Sequence, residues 1–173
     1  MKNMAVSKKI LKYLEDKKYK YEIIEHKTTY TAFDTARTAQ KHEKKVKPEE
    51  IVKALAIRAD RDYFLALVPA DKRLDKKKLL KLVNSGRKKN KEKSYKSLDF
   101  AKEAWMKKNI LGKVGATPAF KQLLGLDVYI DAVLAKQKNL YVGSGEYEYS
   151  IKVPAKQFLK NEEPNKGSFS VKK

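Results

Sequence analysis

Lys53 is the first residue whose type and setting could do chemistry. It stands inside the apolar run Ile51–Ala59, IVKALAIRA. An amine held in a partly dry site has either a lowered pKa or an anionic partner. Either arrangement would suit it to bind a phosphate or a carbonyl oxygen. In a strand Lys53 shares a face with Ile51, Leu55 and Ile57, while Val52, Ala54, Ala56 and Arg58 occupy the other. Either face could be the buried one, and the plainer alternative is a lysine that snorkels to solvent. The second feature is the loop Gly112-Lys113-Val114-Gly115-Ala116-Thr117-Pro118. It fits neither a Walker loop nor a dinucleotide fingerprint. The amides of Gly115 and Ala116 could point at an oxyanion, or the glycines could simply turn the chain. Gly143-Ser144-Gly145 poses the same choice: a tight turn, or the backbone wall of a pocket.

Other chemistries find no support. His26 and His42 are too few and too far apart for a histidine-led metal centre, and His42 lies in a run of charges. No acid pair, serine triad or zinc spacing stands out, and Asp127 and Asp131 need no functional reading. The absence of cysteine excludes disulfides, thiolate catalysis and cysteine-held metals. No metal and no cofactor is expected.

Charge supplies the broadest clue. Lys and Arg number 41 against 21 Asp and Glu, a net +20. Such a surface favours polyanions through phosphate neutralisation and counterion release. A lysine-rich solvated surface is the bland alternative. The charge is uneven, however: residues 76–96 hold ten Lys/Arg against the single Glu92. Lys77, Lys78, Arg87, Lys88, Lys89, Lys91 and Lys93 are the candidate phosphate contacts there, and Tyr95 a candidate base-stacking residue. A chain of 173 residues that is 42% hydrophobic can bury a real core. No apolar run approaches a membrane span, and Lys8 and Lys9 interrupt the N-terminal apolar stretch, so neither a membrane partner nor a signal peptide is expected. The expected location is the cytoplasm.

These residues need elements to position them. Val6, Ile10, Leu11 and Leu14 predict a helix over residues 5–18. Tyr21, Ile23 and Ile24 predict a short strand ending near His26, and Thr31 opens a second helix with Asp34 in a weak capping box. Residues 51–59 and 63–69 form an antiparallel hairpin about Asp60-Arg61-Asp62, stopped by Pro69. Asp75 caps a helix over Lys76–Val83, residues 84–96 form a basic loop, and Ser97 caps a further helix to about Asn109. Strands follow at 127–131, 139–142 and 147–153, the last alternating cleanly. Pro154 opens a short helix over Ala155–Leu159, and the end is loose or a minor extra strand. The expectation is an α/β (α+β-like) fold, a mixed, largely antiparallel curved sheet with helices packed outside.

In order and spacing these segments resemble the YbaK/EbsC family, the prolyl-tRNA-synthetase-associated domain. The segments are His26 with Thr28–Ala32, Ile51–Leu55, Leu65–Asp75, Gly115–Pro118, Val128–Asp131 and Leu140–Gly145. Val114 replaces one of the loop's frequently paired glycines, and Ala119, Phe120 and Lys121 replace the usual phenylalanine and glycine. Residues 76–109 resemble a longer and more basic form of the family's stretch. The resemblance implies one deacylase domain over residues 1–160, with that basic insertion, and a loose tail over 161–173. It implies a metal-independent hydrolase that removes a small amino acid such as Ala, Cys, Ser, Thr or Pro from mischarged tRNA. The implied partners are aminoacylated tRNA and an aminoacyl-tRNA synthetase. Lys53, Gly115 and Ala116 take the catalytic places. His26, Thr31, Thr117, Pro118, Gly143, Ser144 and Gly145 take the substrate-binding places. A tRNA-binding module without catalysis and a protein-interaction domain are the alternatives.

Overall fold

The computed structural model describes residues 6–26 and 46–173. The predicted helix at Thr31, with Thr28–Ala32 and His42, lies outside the described residues. Ser7 caps helix α1 (Lys8–Asp16), whose Ile10 and Leu14 are buried as the spacing predicts. Strand β1 (Glu22–Glu25) runs antiparallel to β8 (Tyr149–Pro154), which also pairs with β7 (Asn139–Gly143). A second sheet has the order β5-β2-β3-β6-β9. Its hairpin is the predicted one, β2 (Val52–Ala59) against β3 (Asp62–Pro69). Strands β6 (Val128–Asp131) and β9 (Asn165–Gly167) add in parallel, and β5 (Leu98–Phe100) covers the outer edge of β2. A parallel bridge between Ile51 and Tyr141 joins the two sheets. Among the described residues five of the seven strand pairings are antiparallel, and the fold is mixed α/β as expected.

Strand β3 explains the continuous apolar run at 63–69, because it is buried on both faces. Leu65 and Leu67 enter the main core with α1, β7, β8 and helix α6 (Ala155–Glu162). Phe64, Ala66 and Val68 enter a second core beneath helix α2 (Lys76–Lys89), with Leu79, Val83 and Phe169. The question of which face of β2 is buried therefore resolves as both. Ala56 packs into the main core, while Ile57 and Leu55 pack beneath α2.

Three expectations change. Asp75 does cap α2, accepting from the Lys78 amide, but the helix runs on to Lys89. The first residues of the expected basic loop at 84–96 are helical instead, and the last-turn cations Arg87, Lys88 and Lys89 complement the helix C-terminus. Ser97 opens no helix. The free edge of β2 instead recruits Leu98–Phe100, and helix α3 (Glu103–Asn109) starts after Lys102, followed by the one-turn helices α4 (Lys121–Leu124) and α5 (Ala132–Ala135). The C-terminal segment is tied down. Strand β10 (Ser170–Lys172) pairs with β4 (Lys72–Leu74), and Phe169 between β9 and β10 is fully buried. Among the described residues no helix is long and apolar enough to cross a membrane.

Candidate active site

The two glycine segments, predicted separately, meet. The Gly145 amide donates to the Ala116 carbonyl at 2.7 Å, and the Lys113 amide donates to the Gly145 carbonyl at 2.9 Å. A Cβ on Gly143 would sit 2.4 Å from the Thr117 oxygen and 2.6 Å from the Ala116 oxygen. Gly112, at φ +94°, touches the Gly145 Cα so closely that a Cβ would lie 2.5 Å away. Side chains are therefore excluded from both sides of the junction. Two further contacts fix its rim: the Tyr147 hydroxyl donates to the Val114 carbonyl at 2.7 Å, and Lys113 pairs with Glu146 at 3.1 Å.

A small pocket opens against this junction, with an empty volume of about 330 Å³ including its mouth. Gly115, Ala116, Gly143, Ile51, Val52 and Val142 form its backbone-rich and aliphatic walls, and Glu146, Tyr149 and Ser150 its polar part. The Ala116 amide already donates to the Lys113 carbonyl at 3.0 Å. Among the described residues the Gly115 amide has no backbone acceptor, and neither do those of Gly112, Val114 and Thr117 in the same loop. Thr117 and Pro118 are buried behind the loop, and Ser144 donates to the Tyr149 carbonyl at 2.6 Å, bracing the turn. His26 is 5% exposed, and its Nε2 lies 2.9 Å from the Ser150 hydroxyl, so it backs the pocket wall. Thr31 lies outside the described residues.

Sequence reasoning missed Glu146, Tyr149 and Ser150. Ser150 carried a signal, as a polar position in a strand whose neighbours Ile151 and Val153 are buried. Glu146 carried none, since its place depends on the turn after Gly145.

Lys53 is not among the pocket-lining residues. One residue beyond Val52, it follows the Leu55 and Ile57 face, and its ammonium donates to the Lys72 carbonyl at 2.5 Å. Burial, and next the nearby Lys173 charge, lower its pKa to about 8, against a smaller opposing pull from Asp71. The basic segment lies farther off. Strand β3 runs from the pocket end at Pro69 to Asp62, which accepts from the Tyr95 hydroxyl, a span of about 23 Å. Arg87 and Tyr95 hold one another there. The guanidinium lies 3.9 Å from the ring centroid and donates to the Tyr95 hydroxyl at 2.9 Å and to the Lys93 carbonyl at 2.6 Å. Lys77, Lys78, Lys88, Lys89, Lys91 and Lys93 are exposed.

No curated protein is similar enough in sequence to count as a match. Among solved structures, the hypothetical protein APE2540 superposes with a TM-score of 0.75 at 17% identity, covering 95% of this chain and 100% of that one. A proposed trans-editing enzyme for prolyl tRNA synthetase gives 0.70 at 18% identity, covering 94% and 95%. At these identities the likeness shows the fold. The aminoacyl-tRNA editing domain model matches residues 26–160, which include β1, the β2–β3 hairpin, the Gly112–Pro118 loop and the Gly143–Gly145 turn. The chain thus belongs to the aminoacyl-tRNA editing domain family, whose activity is the deacylation of tRNA.

Proposed function

We propose that this protein hydrolyses the ester joining a small amino acid to the terminal ribose of mischarged tRNA, with Ala, Cys, Ser, Thr and Pro as the candidates. The observation that carries this is the junction of the Gly112–Pro118 loop with the Gly143–Gly145 turn. It makes a small pocket, walls it partly with backbone and keeps the protein's own side chains out at Gly112 and Gly143. A water attacks the ester carbonyl carbon, and the ribose oxygen leaves with a proton, giving free amino acid and uncharged tRNA. The Gly115 amide is the donor for the developing oxyanion, a role that such amides fill without reorganising during the reaction. Ala116 contributes wall, since its own amide is committed. His26 acts through Ser150, and the Lys53 ammonium holds a phosphate of the terminal nucleotide outside the pocket. This chemistry draws on the chain and the substrate's ribose hydroxyl, and uses no metal. The partners are aminoacylated tRNA and, in handing over that tRNA, an aminoacyl-tRNA synthetase.

The test is incubation with a panel of tRNAs mischarged with each of the five amino acids. Accelerated ester loss for at least one is expected. Binding to all without ester loss would support the second reading, an RNA-binding module, which the committed Ala116 amide favours.

A further inference from the structure

The candidate RNA contacts read from the sequence all lie in residues 76–96, but the fold assembles a second cationic surface that no sequence run reveals. The turn after α1 carries Lys17, Lys18 and Lys20, and α6 carries Lys156 and Lys160; these five line one open groove in which no acidic residue takes part. Among the described residues none of the five makes an ion pair with a carboxylate. Their aliphatic stems furnish apolar walls and their ammonium groups the rim.

The groove is built on a rigid base. The Gln157 carboxamide accepts from the Lys20 amide at 2.8 Å and donates to the Lys18 carbonyl at 2.7 Å. Asn161 donates to the Lys17 carbonyl at 3.2 Å. Beneath them Glu162, 1% exposed, accepts from the Tyr13 hydroxyl at 2.7 Å and from the Tyr19 hydroxyl at 2.5 Å. The α1 turn and α6 are thus locked together by the five side chains of Gln157, Asn161, Glu162, Tyr13 and Tyr19. The lysines sit on a fixed frame and are not merely scattered.

The groove also has a direction. Pro154 lines it at one end of β8, and Ser150 lines the active-site pocket four residues earlier. At about 3.3 Å per residue the two are about 13 Å apart along one strand. That is a span for one or two nucleotides of extended single strand, with Lys152 on the way.

We infer that the α1–α6 groove holds the phosphodiester backbone of the single-stranded 3′ end of tRNA and directs its last nucleotide along β8 into the pocket. This rests on the proposed deacylation and adds a binding surface to it. The occupant is a flexible polyanion because the groove offers point charges on an apolar wall, and no charged fork for a fixed carboxylate.

The experiment compares the protein with a variant carrying Lys17→Gln, Lys20→Gln, Lys156→Gln and Lys160→Gln. Binding of a tRNA acceptor-stem minihelix with an intact 3′ end is followed across a salt series, along with deacylation of the charged minihelix and of an aminoacyl-adenosine too short to reach the groove. The slope of log affinity against log salt should fall by about 3, at about 0.7 per single-strand phosphate contact. KM for the minihelix should rise about tenfold or more, while aminoacyl-adenosine turnover stays unchanged. A minihelix without the 3′ overhang should show the same slope with both proteins. An unchanged slope with the intact 3′ end overturns the inference while leaving deacylation standing. Loss of binding to anionic lipid vesicles with no change on RNA also overturns it, in favour of a membrane surface. Failure of the unmodified protein to deacylate any charged minihelix would instead strike the proposed function and the inference with it. A quadruple variant with changed turnover on aminoacyl-adenosine would show damage to the pocket, and the single variant Lys160→Gln, expected to lower the slope by about 0.7, then decides the matter.

Discussion

At the scale of the residue, Lys53 and Arg58 share a strand and meet different surroundings. Arg58 lies at the hairpin end, exposed, with its Nε donating to the Asp60 carbonyl at 3.0 Å. Lys53 is half-buried, and burial together with Lys173 brings its pKa down to about 8. A lysine in this state is charged at neutral pH but loses its proton within reach of assay conditions. The proposed phosphate contact needs the ammonium, so the protonated free enzyme is the active form. The profile of kcat/KM should therefore be flat below about pH 8 and fall about tenfold per unit above it, after subtraction of spontaneous ester hydrolysis. Lys53→Arg keeps its charge and should remove that limb, because a guanidinium does not titrate there. A limb that persists in Lys53→Arg would assign it to another group. The residue was legible in the sequence as a lysine within an apolar run. Its orientation was not, because both faces of β2 are buried and alternation alone could not rank them.

At the scale of the element, the C-terminal segment takes the second of its two expected forms, a minor extra strand in place of a loose tail. The pattern NEEPNKGSFSVKK could not rank the two. Its order comes from distant partners. The Asp131 carboxylate accepts from the Phe169 amide at 2.9 Å and from the Ser170 amide at 3.1 Å, while the Asp75 amide donates to the Phe169 carbonyl at 2.7 Å. Phe169 then fills the second core against Leu79 and Val83 of α2. Phe169→Ala should cost about 3–5 kcal/mol of unfolding free energy, the range for emptying a buried aromatic site, read as a lower midpoint in a denaturant titration. A change below about 1 kcal/mol would mean that the segment contributes little to the core. The same cause accounts for the Ser97 misreading, since β5 exists to pair with β2 and no local propensity encodes that. Elements with their own periodicity and stop signals, α1, the β2–β3 hairpin and α6, were legible because local pattern and tertiary demand agree there. The pocket was legible only as two separate glycine turns, since their contact is made across about thirty residues of sequence.

At the scale of the molecule, the net charge of +20 has two consequences that oppose each other in salt. Self-repulsion among like charges weakens the compact state, and salt screens it over a length of about 10 Å at 0.1 M. Affinity for RNA falls over the same range as counterion release loses its drive. Thermal stability should thus rise between 20 and 200 mM salt while tRNA binding weakens, about ten-thousandfold or more if six or more phosphates are contacted. The basic segment allows the two effects to be separated within one helix. Lys77, Lys78, Lys91 and Lys93 are exposed and lie outside the last turn of α2, so changing all four to Gln should lower the salt slope of tRNA binding and leave the melting temperature equal or higher. Arg87 belongs to the architecture: it packs on Tyr95, reaches Glu92 at 3.5 Å and braces the loop through the Lys93 carbonyl. Arg87→Gln should therefore lower the melting temperature, by a few degrees for a loss of about 1–2 kcal/mol, while the salt slope stays near that of the unmodified protein. If the four-lysine variant leaves the slope unchanged, the segment is a solvated surface rather than a docking site, and the cations that meet tRNA lie on other faces of the protein.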